Sequence, residues 1–363
     1  MPSLCGFILL ALMCFGAKAE HHNHGQINTA TKGFASDFLL FPDLTYVGLF
    51  NQSPSNPKAD NEFLPSLNLF YSADYNKFRF LGEWLVSSKS HNVERLQFGV
   101  NLGESSLWLG RFHSPIGYWN MQYHHGAYLQ TPISRPGIMA FETGGGVIPN
   151  HLTGLLWEGV HIVNNAGIYY TLGAGAAPDL TNRLHPFNIF DPKGSHRPGV
   201  ALRLGYQPVS YGPDEIGLSF AYTELPGEKF NAHTVKQIVA STYANWQINE
   251  TIRSIGEIVY VHHWTDHDQL TGRSQSGSFV NAYGQLEWDI QPKWTLFGRL
   301  EHTFGAHNDT YLAAFPKFVE GRLMGGIRYK LPHNMALKVE ASEEHVRNEH
   351  YGQVMLQWSA LWP

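Results

Sequence analysis

The sequence predicts an all-β fold, a transmembrane antiparallel up-and-down β-barrel of about sixteen strands (14–18). Three observations predict it. Only 15% of the 363 residues are charged and 13% are aromatic, whereas about 25% of a typical soluble protein is charged. Segments in which apolar and polar residues alternate recur to the C-terminus. The connections between them alternate between short and long, as in barrels with tight periplasmic turns and long external loops.

Composition and charge exclude two other classes of protein. No stretch after residue 20 approaches the roughly 18 uninterrupted apolar residues that a membrane-spanning helix needs. A net charge of −5 and abundant aromatic residues argue against a disordered or nucleic-acid-binding tail. We therefore expect no nucleic-acid partner, and a protein that crosses a membrane with strands.

Residues 1–19 predict a cleaved signal peptide. Their apolar core, Phe7 to Phe15, precedes Ala17-Lys18-Ala19, which places small residues where a signal peptidase reads. A lipoprotein signal at Cys14 is less favoured because the residue before it is bulky. Cleavage after Ala19 would remove both cysteines of the chain, so the exported protein would need no disulfide framework.

Behind the signal peptide, we divide the chain into an N-terminal segment at 20–43 and a barrel at 44–363. The N-terminal segment contains His21, His22 and His24. The barrel begins with a weakly alternating segment at 44–50. The clearest strands are Lys77–Ser87, Arg95–Leu102, Ser278–Ile290, Trp294–Leu300 and Val319–Leu331.

The last strand, from Gln353 to Trp362, is the most informative. It resembles the terminal strand of bacterial outer-membrane proteins, which ends on an aromatic residue and serves as an assembly signal; Pro363 departs from that pattern. Alternation alone fits the edge strand of a soluble sandwich equally well. The connections favour the barrel, because a sandwich has no reason to place a long loop on every second connection.

The long connections are predicted to lie outside the cell and the short ones in the periplasm. The long ones fall at 51–62, 88–93, 113–151, 174–198, 224–234, 263–277, 303–318 and 343–351. Aromatic residues on the apolar face support this orientation, because they fall beside the short turns or the C-terminus, where an interfacial girdle is expected. They are Phe78, Trp288, Trp294, Tyr329 and Trp362.

The chain resembles the sixteen-stranded porins of Gram-negative outer membranes, including the phosphate-selective type. The resemblance rests on the signal peptide, the strand and loop rhythm, the aromatic-ended last strand and the long third loop at 113–151. Within that loop region, Gly110–Asn120 and Ile133–Gly137 look like the segment after the fifth strand of porin-like proteins. The resemblance implies that this loop folds into the lumen and narrows it. No known substrate specificity transfers with it.

The resemblance implies an outer-membrane channel for passive diffusion of small hydrophilic solutes or ions, with outer-membrane lipid around it. Porins of this size often form trimers, so a homotrimer is a further expectation. Polar side chains facing inward would line the path. The predicted pore-lining residues are Arg79, Glu83, Arg95, Arg203, Arg253, Glu257, Glu287, Arg299, Glu301, Arg322, Arg328, Lys330 and Lys338.

Two interpretations of these wall charges stay open. Cations slightly outnumber anions on the polar strand faces, which would favour anionic solutes. The same charges could instead pair across strands and hold the wall in register. In the predicted constriction loop, the candidate residues are His113, His124, His125, Arg135 and Glu142; with so few fixed charges, it suits weakly charged solutes better than phosphate.

A histidine- and aspartate-rich stretch suggests an alternative function, a surface protein whose external loops bind a metal ion or another ligand. Imidazole and carboxylate groups at such spacing can bind Zn²⁺, Ni²⁺ or Cu²⁺, although such residues in an external loop are more often simply solvated. The candidate ligands are His262, His263, Asp266, His267 and Asp268. No cofactor is predicted.

The sequence also predicts that the protein is not an enzyme. It contains no Gly-x-Ser-x-Gly elbow and no His-Glu-x-x-His motif, and Gly144-Gly145-Gly146 lacks the lysine of a phosphate-binding loop. Individual serines and histidines of external loops leave open a catalytic set that forms only in space.

Overall fold

The computed structural model describes residues 33–50, 61–89, 91–123, 126–181, 183–266, 274–307, 309–347 and 349–363. The predicted signal peptide and the three histidines behind it lie outside these residues. No helix among the described residues has the length and apolar character needed to span a membrane.

Sixteen antiparallel strands form one closed barrel, which confirms the predicted fold class and strand number. Each strand pairs with its neighbours in the chain, and β1 closes the barrel against β18. A separate two-stranded sheet, β8 with β9, lies in the connection between β7 and β10. The strands are β1 Phe34–Phe50, β2 Asn61–Tyr75, β3 Phe78–Ser87, β4 His91–Asn101, β5 Ser105–His113, β6 His151–Val163, β7 Ala166–Ala176, β8 Asp179–Leu180, β9 Leu184–His185, β10 Pro198–Gln207, β11 Glu215–Pro226, β12 Thr234–Gln247, β13 Ile252–Thr265, β14 Ser276–Gln291, β15 Trp294–Phe304, β16 Gly321–Leu331, β17 Met335–Val346 and β18 Glu349–Ala360.

The barrel begins ten residues earlier than the predicted start at residue 44. β1 starts at Phe34, which pairs with Tyr75 of β2. Alternation is hidden here because apolar residues occupy both faces of the strand. Phe41 faces inward and is buried, and a Cβ on Gly126 would lie 2.3 Å from its ring. An apolar inward residue therefore packs on a loop inside the barrel.

The two faces of the wall differ as the alternation predicts. Large apolar side chains such as Leu300 and Leu323 are exposed on the outer face, while Glu301 and Arg322 beside them are buried on the inner face. Near the short turns, the ring centroids of Trp294 and Tyr329 lie 4.4 Å apart. The outer surface is thus an apolar band with aromatic rings at the rim that carries the short turns, which suits contact with lipid.

Two irregularities change which side chains point inward in the half of the barrel that carries the long connections. In β4, Arg95 pairs with Glu83 and Val93 pairs with Trp84, so the intervening Glu94 is an extra residue of a β-bulge and is buried together with Arg95. In β5, Gly110 has a φ of +137°. The next residues, Arg111 and Phe112, are both buried, which a regular alternating strand does not produce.

We expect Gly110→Ala to destabilise the folded barrel by about 1–3 kcal/mol. The φ of Gly110 is unfavourable for residues with a side chain, and a Cβ there would lie 2.0 Å from the carbonyl oxygen of Leu96. The measurement is the temperature at which the heat-modifiable gel shift of the folded barrel is lost. Gly284→Ala is the control, because a Cβ there meets no atom within 4 Å; equal transition temperatures for the two variants would contradict the expectation.

Candidate functional site: the lumen wall and its infolded loop

The connection between β5 and β6, Ser114–Asn150, lies inside the barrel and is called the infolded loop below. Its described residues form one short helix, α1 (Tyr118–Gln122), and two single 3₁₀ turns. Trp119, Ile138 and Met139 are fully buried. The hydrophobic core of the molecule therefore sits within the lumen, between this loop and the wall.

Two cations of the wall hold the first part of the loop. Lys338 of β17 donates to the backbone carbonyl of Ala127. Arg328 of β16 donates to the carbonyl of Tyr128 at 2.8 Å. Both side chains face inward and are buried, so their charges are used to bind the loop backbone.

A carboxylate and a guanidinium hold the middle of the loop at Ser134. Oε2 of Glu340 accepts the backbone N–H groups of Ile133, at 2.7 Å, and of Ser134, at 3.2 Å. Arg299 donates to the carbonyl of Ser134 at 3.1 Å and to its hydroxyl at 3.0 Å. Every hydrogen-bonding group of Ser134's peptide thus meets a charged wall side chain.

The next turn of the loop is held by an ion-pair network on β15, β16 and β17. Oε2 of Glu301 accepts the N–H of Gly137 at 2.6 Å. Arg322 donates to the carbonyl of Arg135 at 2.6 Å and also pairs with Glu301 at 3.0 Å and with Glu344 at 2.7 Å. The same buried charges therefore link three strands and the loop.

The first residues of the loop extend from β5 to the wall at β11–β13. The backbone N–H of Gly117 donates to Oγ of Ser219 on β11 at 3.0 Å, and that hydroxyl lies 2.7 Å from Ser241 of β12. A Cβ on Gly117 would lie 2.3 Å from Oε1 of Glu257, and its φ is +72°. The positive φ favours glycine here, and a side chain would have to displace the carboxylate of Glu257.

Aromatic rings fill the space between loop and wall. The guanidinium of Arg299 lies 5.4 Å from the ring centroid of Trp119, and Trp119 packs edge-on against Tyr283. Tyr123 lies against Trp119 as well, with 5.0 Å between ring centroids. Burial raises the pKa of the Tyr123 phenol to about 12, so it stays neutral and acts as a hydrogen-bonding group.

The predicted constriction residues of the loop lie in its C-terminal half and at its ends. Glu142 accepts the backbone N–H groups of Asn150 and His151 at 2.9 and 3.0 Å. Nε of Arg135 donates to the carbonyl of Met139, and burial lowers the pKa of this guanidinium to about 10. His113 ends β5, with its ring 5.1 Å from that of His151. His124 and His125 lie outside the described residues.

The remaining predicted wall residues are held mainly by neighbours on the wall. Arg95 pairs with Glu83 at 3.0 Å, and Arg203 pairs with Glu215. Arg79 pairs with Asp74 at 2.9 Å near a short turn. All thirteen predicted pore-lining residues lie on strand faces directed inward. Whether a solute passes along them stays a prediction. The least buried include Arg253, which is half-buried, and Lys330, which is exposed beside a short turn.

Sequence reasoning missed two features of the lumen. Glu94 was hidden by the β-bulge, since a strict period of two assigns it to the other face. The loop between β15 and β16 also folds inward: Tyr311, Phe315 and Phe318 are buried, and the Tyr311 hydroxyl donates to the carbonyl of Val147 in the infolded loop at 2.7 Å. Three aromatic residues in one predicted external loop were the available signal.

Among the predicted metal ligands, the structure describes three, His262, His263 and Asp266, and it does not bring them together. β13 continues to Thr265, so consecutive histidines alternate between the two faces. His262 faces outward, with Nδ1 2.8 Å from Oγ of Ser278, whereas His263 faces inward, with Nε2 2.8 Å from Oδ2 of Asp309. Oδ1 of Asp266 accepts the N–H of Thr234.

The two imidazoles therefore cannot bind one ion together, and the described residues contain no group of three or more histidine, cysteine or acidic side chains placed to hold a metal. His267 and Asp268 lie outside the described residues.

We expect Glu340→Ala to loosen the infolded loop by about 1–3 kcal/mol for each backbone donor left without an acceptor. The measurement is limited proteolysis of the folded barrel, followed at the loop, where cleavage should be faster. Glu343→Ala is the matched control, since Glu343 lies on the same strand but is exposed on the outer face. Equal cleavage rates for the two variants would show that the carboxylate does not hold the loop.

Comparison with known proteins supports the fold. No protein-family model and no curated protein sequence matches the chain. Among solved structures, the outer membrane channel DcaP of Acinetobacter baumannii superposes with a TM-score of 0.61 at 10% identity, over 92% of this chain and 99% of that one. OmpF of Salmonella typhi gives 0.58 at 12% identity, over 90% and 97%. OmpT, an outer membrane protein of Vibrio cholerae, gives 0.54 at 9% identity, over 92% and 98%. The chain thus has the fold of the sixteen-stranded outer-membrane porins along nearly its whole length.

Proposed function

We propose that the protein is a channel of the Gram-negative outer membrane through which small hydrophilic solutes or ions diffuse passively. One observation carries the proposal: a closed barrel with an apolar outer face contains a charged inner wall that holds a loop within the lumen. A wall of this kind offers polar groups to a solute, and a loop inside it sets the width of the path. The likeness to the outer membrane channel DcaP supports the same function.

The solutes are small and weakly selected by charge. Arg299 and Lys338 are 2% exposed, and both bind the loop. Charges that are buried and paired contribute little to selection among solutes. The width that the loop leaves open contributes more. This interpretation favours the structural role of the wall charges over a strong preference for anions.

Export by the signal peptide, contact with outer-membrane lipid and assembly as a homotrimer belong to the same proposal. The apolar outer face supports contact with lipid. The alternative, an external metal-binding surface, has less support because His262 and His263 lie on opposite faces of β13. We assign no catalytic step to the protein; the absence of enzymatic activity stays a prediction.

We expect the purified, folded protein to give stepwise conductance in planar lipid bilayers. The double variant Glu301→Ala/Glu340→Ala should give a higher mean conductance and more open-channel noise, because the loop loses the acceptors of three backbone N–H groups. Glu343→Ala should conduct like the parent protein. A folded barrel, verified by its heat-modifiable gel shift, that passes no ions at any voltage would refute the channel.

A further inference from the structure

We propose that His151, with both ring nitrogens protonated, is the positioning residue that fastens the infolded loop to the wall, and that its loss of a proton loosens the constriction as pH rises. This inference rests on the proposed channel function. It adds to that function that the width and the net charge of the path depend on pH.

The geometry that carries the inference is a histidine placed between two carboxylates. Nδ1 of His151 lies 2.9 Å from Oε2 of Glu142, and Nε2 lies 3.1 Å from Oε2 of Glu94. Glu142 belongs to the infolded loop, whereas Glu94 is the bulge residue of β4. All three side chains are buried. The imidazole therefore links the loop to β4, in addition to the backbone N–H groups of Asn150 and His151 that Glu142 accepts.

The bridge needs the charged form of the ring. An ionised carboxylate only accepts hydrogen bonds, and a neutral imidazole has one N–H. A neutral His151 can therefore donate to Glu142 or to Glu94, but not to both. The doubly protonated ring donates to Glu142 and turns a positively charged N–H toward Glu94, whereas the neutral ring that donates to Glu142 places a nitrogen lone pair 3.1 Å from the Glu94 carboxylate.

The charged groups around His151 determine how far its proton changes the net charge at this end of the loop. From β5, Arg111 lies 3.9 Å from Glu94, and His113 packs on the His151 ring. From the infolded loop, Arg135 interacts electrostatically with both carboxylates. From β9, His185 interacts with Glu142.

Two guanidinium groups thus offset two carboxylates, so the proton on His151 adds one net positive charge to the cluster.

The direction of the pH effect follows from the bridge. While His151 carries both protons, the side-chain contacts Glu142–His151–Glu94 add to the backbone hydrogen bonds of Glu142, and the constriction is narrow and more positive. When the pH rises and the ring loses one proton, one of the two contacts is lost. The loop then moves more freely, so mean conductance and open-channel noise increase and the preference for anions falls.

The test is planar-bilayer recording of the parent protein, His151→Gln and His161→Gln from about pH 5 to about pH 9, in KCl gradients that report the chloride-to-potassium permeability ratio. His161→Gln is the matched control, because His161 lies on the same strand and is exposed. We expect a titration of conductance and permeability ratio in the parent and in His161→Gln, and its loss in His151→Gln, whose values should stay near those of the parent at high pH.

A second measurement does not depend on conduction. Ring-¹⁵N-labelled histidine spectra of the folded barrel, with the His151 signals assigned by their loss in His151→Gln, report directly whether both nitrogens carry protons. Imidazolium shifts at neutral pH, replaced by neutral-ring shifts at higher pH, support the inference. A neutral ring throughout, or an unchanged pH profile in His151→Gln, overturns it while leaving the channel intact; no conductance in any of the proteins refutes the channel instead.

Discussion

A peptide segment without regular secondary structure can lie inside a barrel only if its backbone N–H and C=O groups find partners there. Inside this barrel the partners are charged side chains. Lys338, Arg328, Arg299 and Arg322 donate to loop oxygens, and Glu340 and Glu301 accept loop N–H groups. The position of the infolded loop depends on this exchange of hydrogen bonds, and the width of the lumen depends on the position of the loop.

The need to satisfy the loop backbone also explains where the wall charges lie and how they pair. Charge is costly on an apolar, lipid-facing surface, so the charges that bind the loop lie on the inner face of their strands, while Glu343 on the outer face of β17 is an exception. On β15, β16 and β17 these charges both bind the loop and pair with each other, as Arg322 does with Glu301 and Glu344. A charge engaged in this way contributes to the shape of the lumen, and counting inward cations and anions overstates the selectivity of the path.

The sequence predicted the fold and the inward faces because a period of two is a property of every regular strand. The prediction failed where the backbone departs from that period, and where an apolar side chain faces inward because it packs against the infolded loop. Glu94 was missed because a bulge changes its face, and Phe41 hid the start of β1 because the infolded loop gives an apolar side chain an inward partner. His262 and His263 appeared as a cluster only because their strand was assumed to have ended. The loop's partners on the wall depend on tertiary packing, which no local pattern encodes.

The most direct test of the account is whether the infolded loop touches the inner wall at β16. Oγ of Ser134 lies 3.2 Å from Sδ of Met324, whereas the neighbouring Leu323 faces outward. In a cysteine-free folded barrel, a short thiol–thiol cross-linker should join Ser134→Cys to Met324→Cys and should not join Ser134→Cys to Leu323→Cys. Equal cross-linking of the two pairs, or none with Met324→Cys, would contradict a loop held in the lumen by this wall.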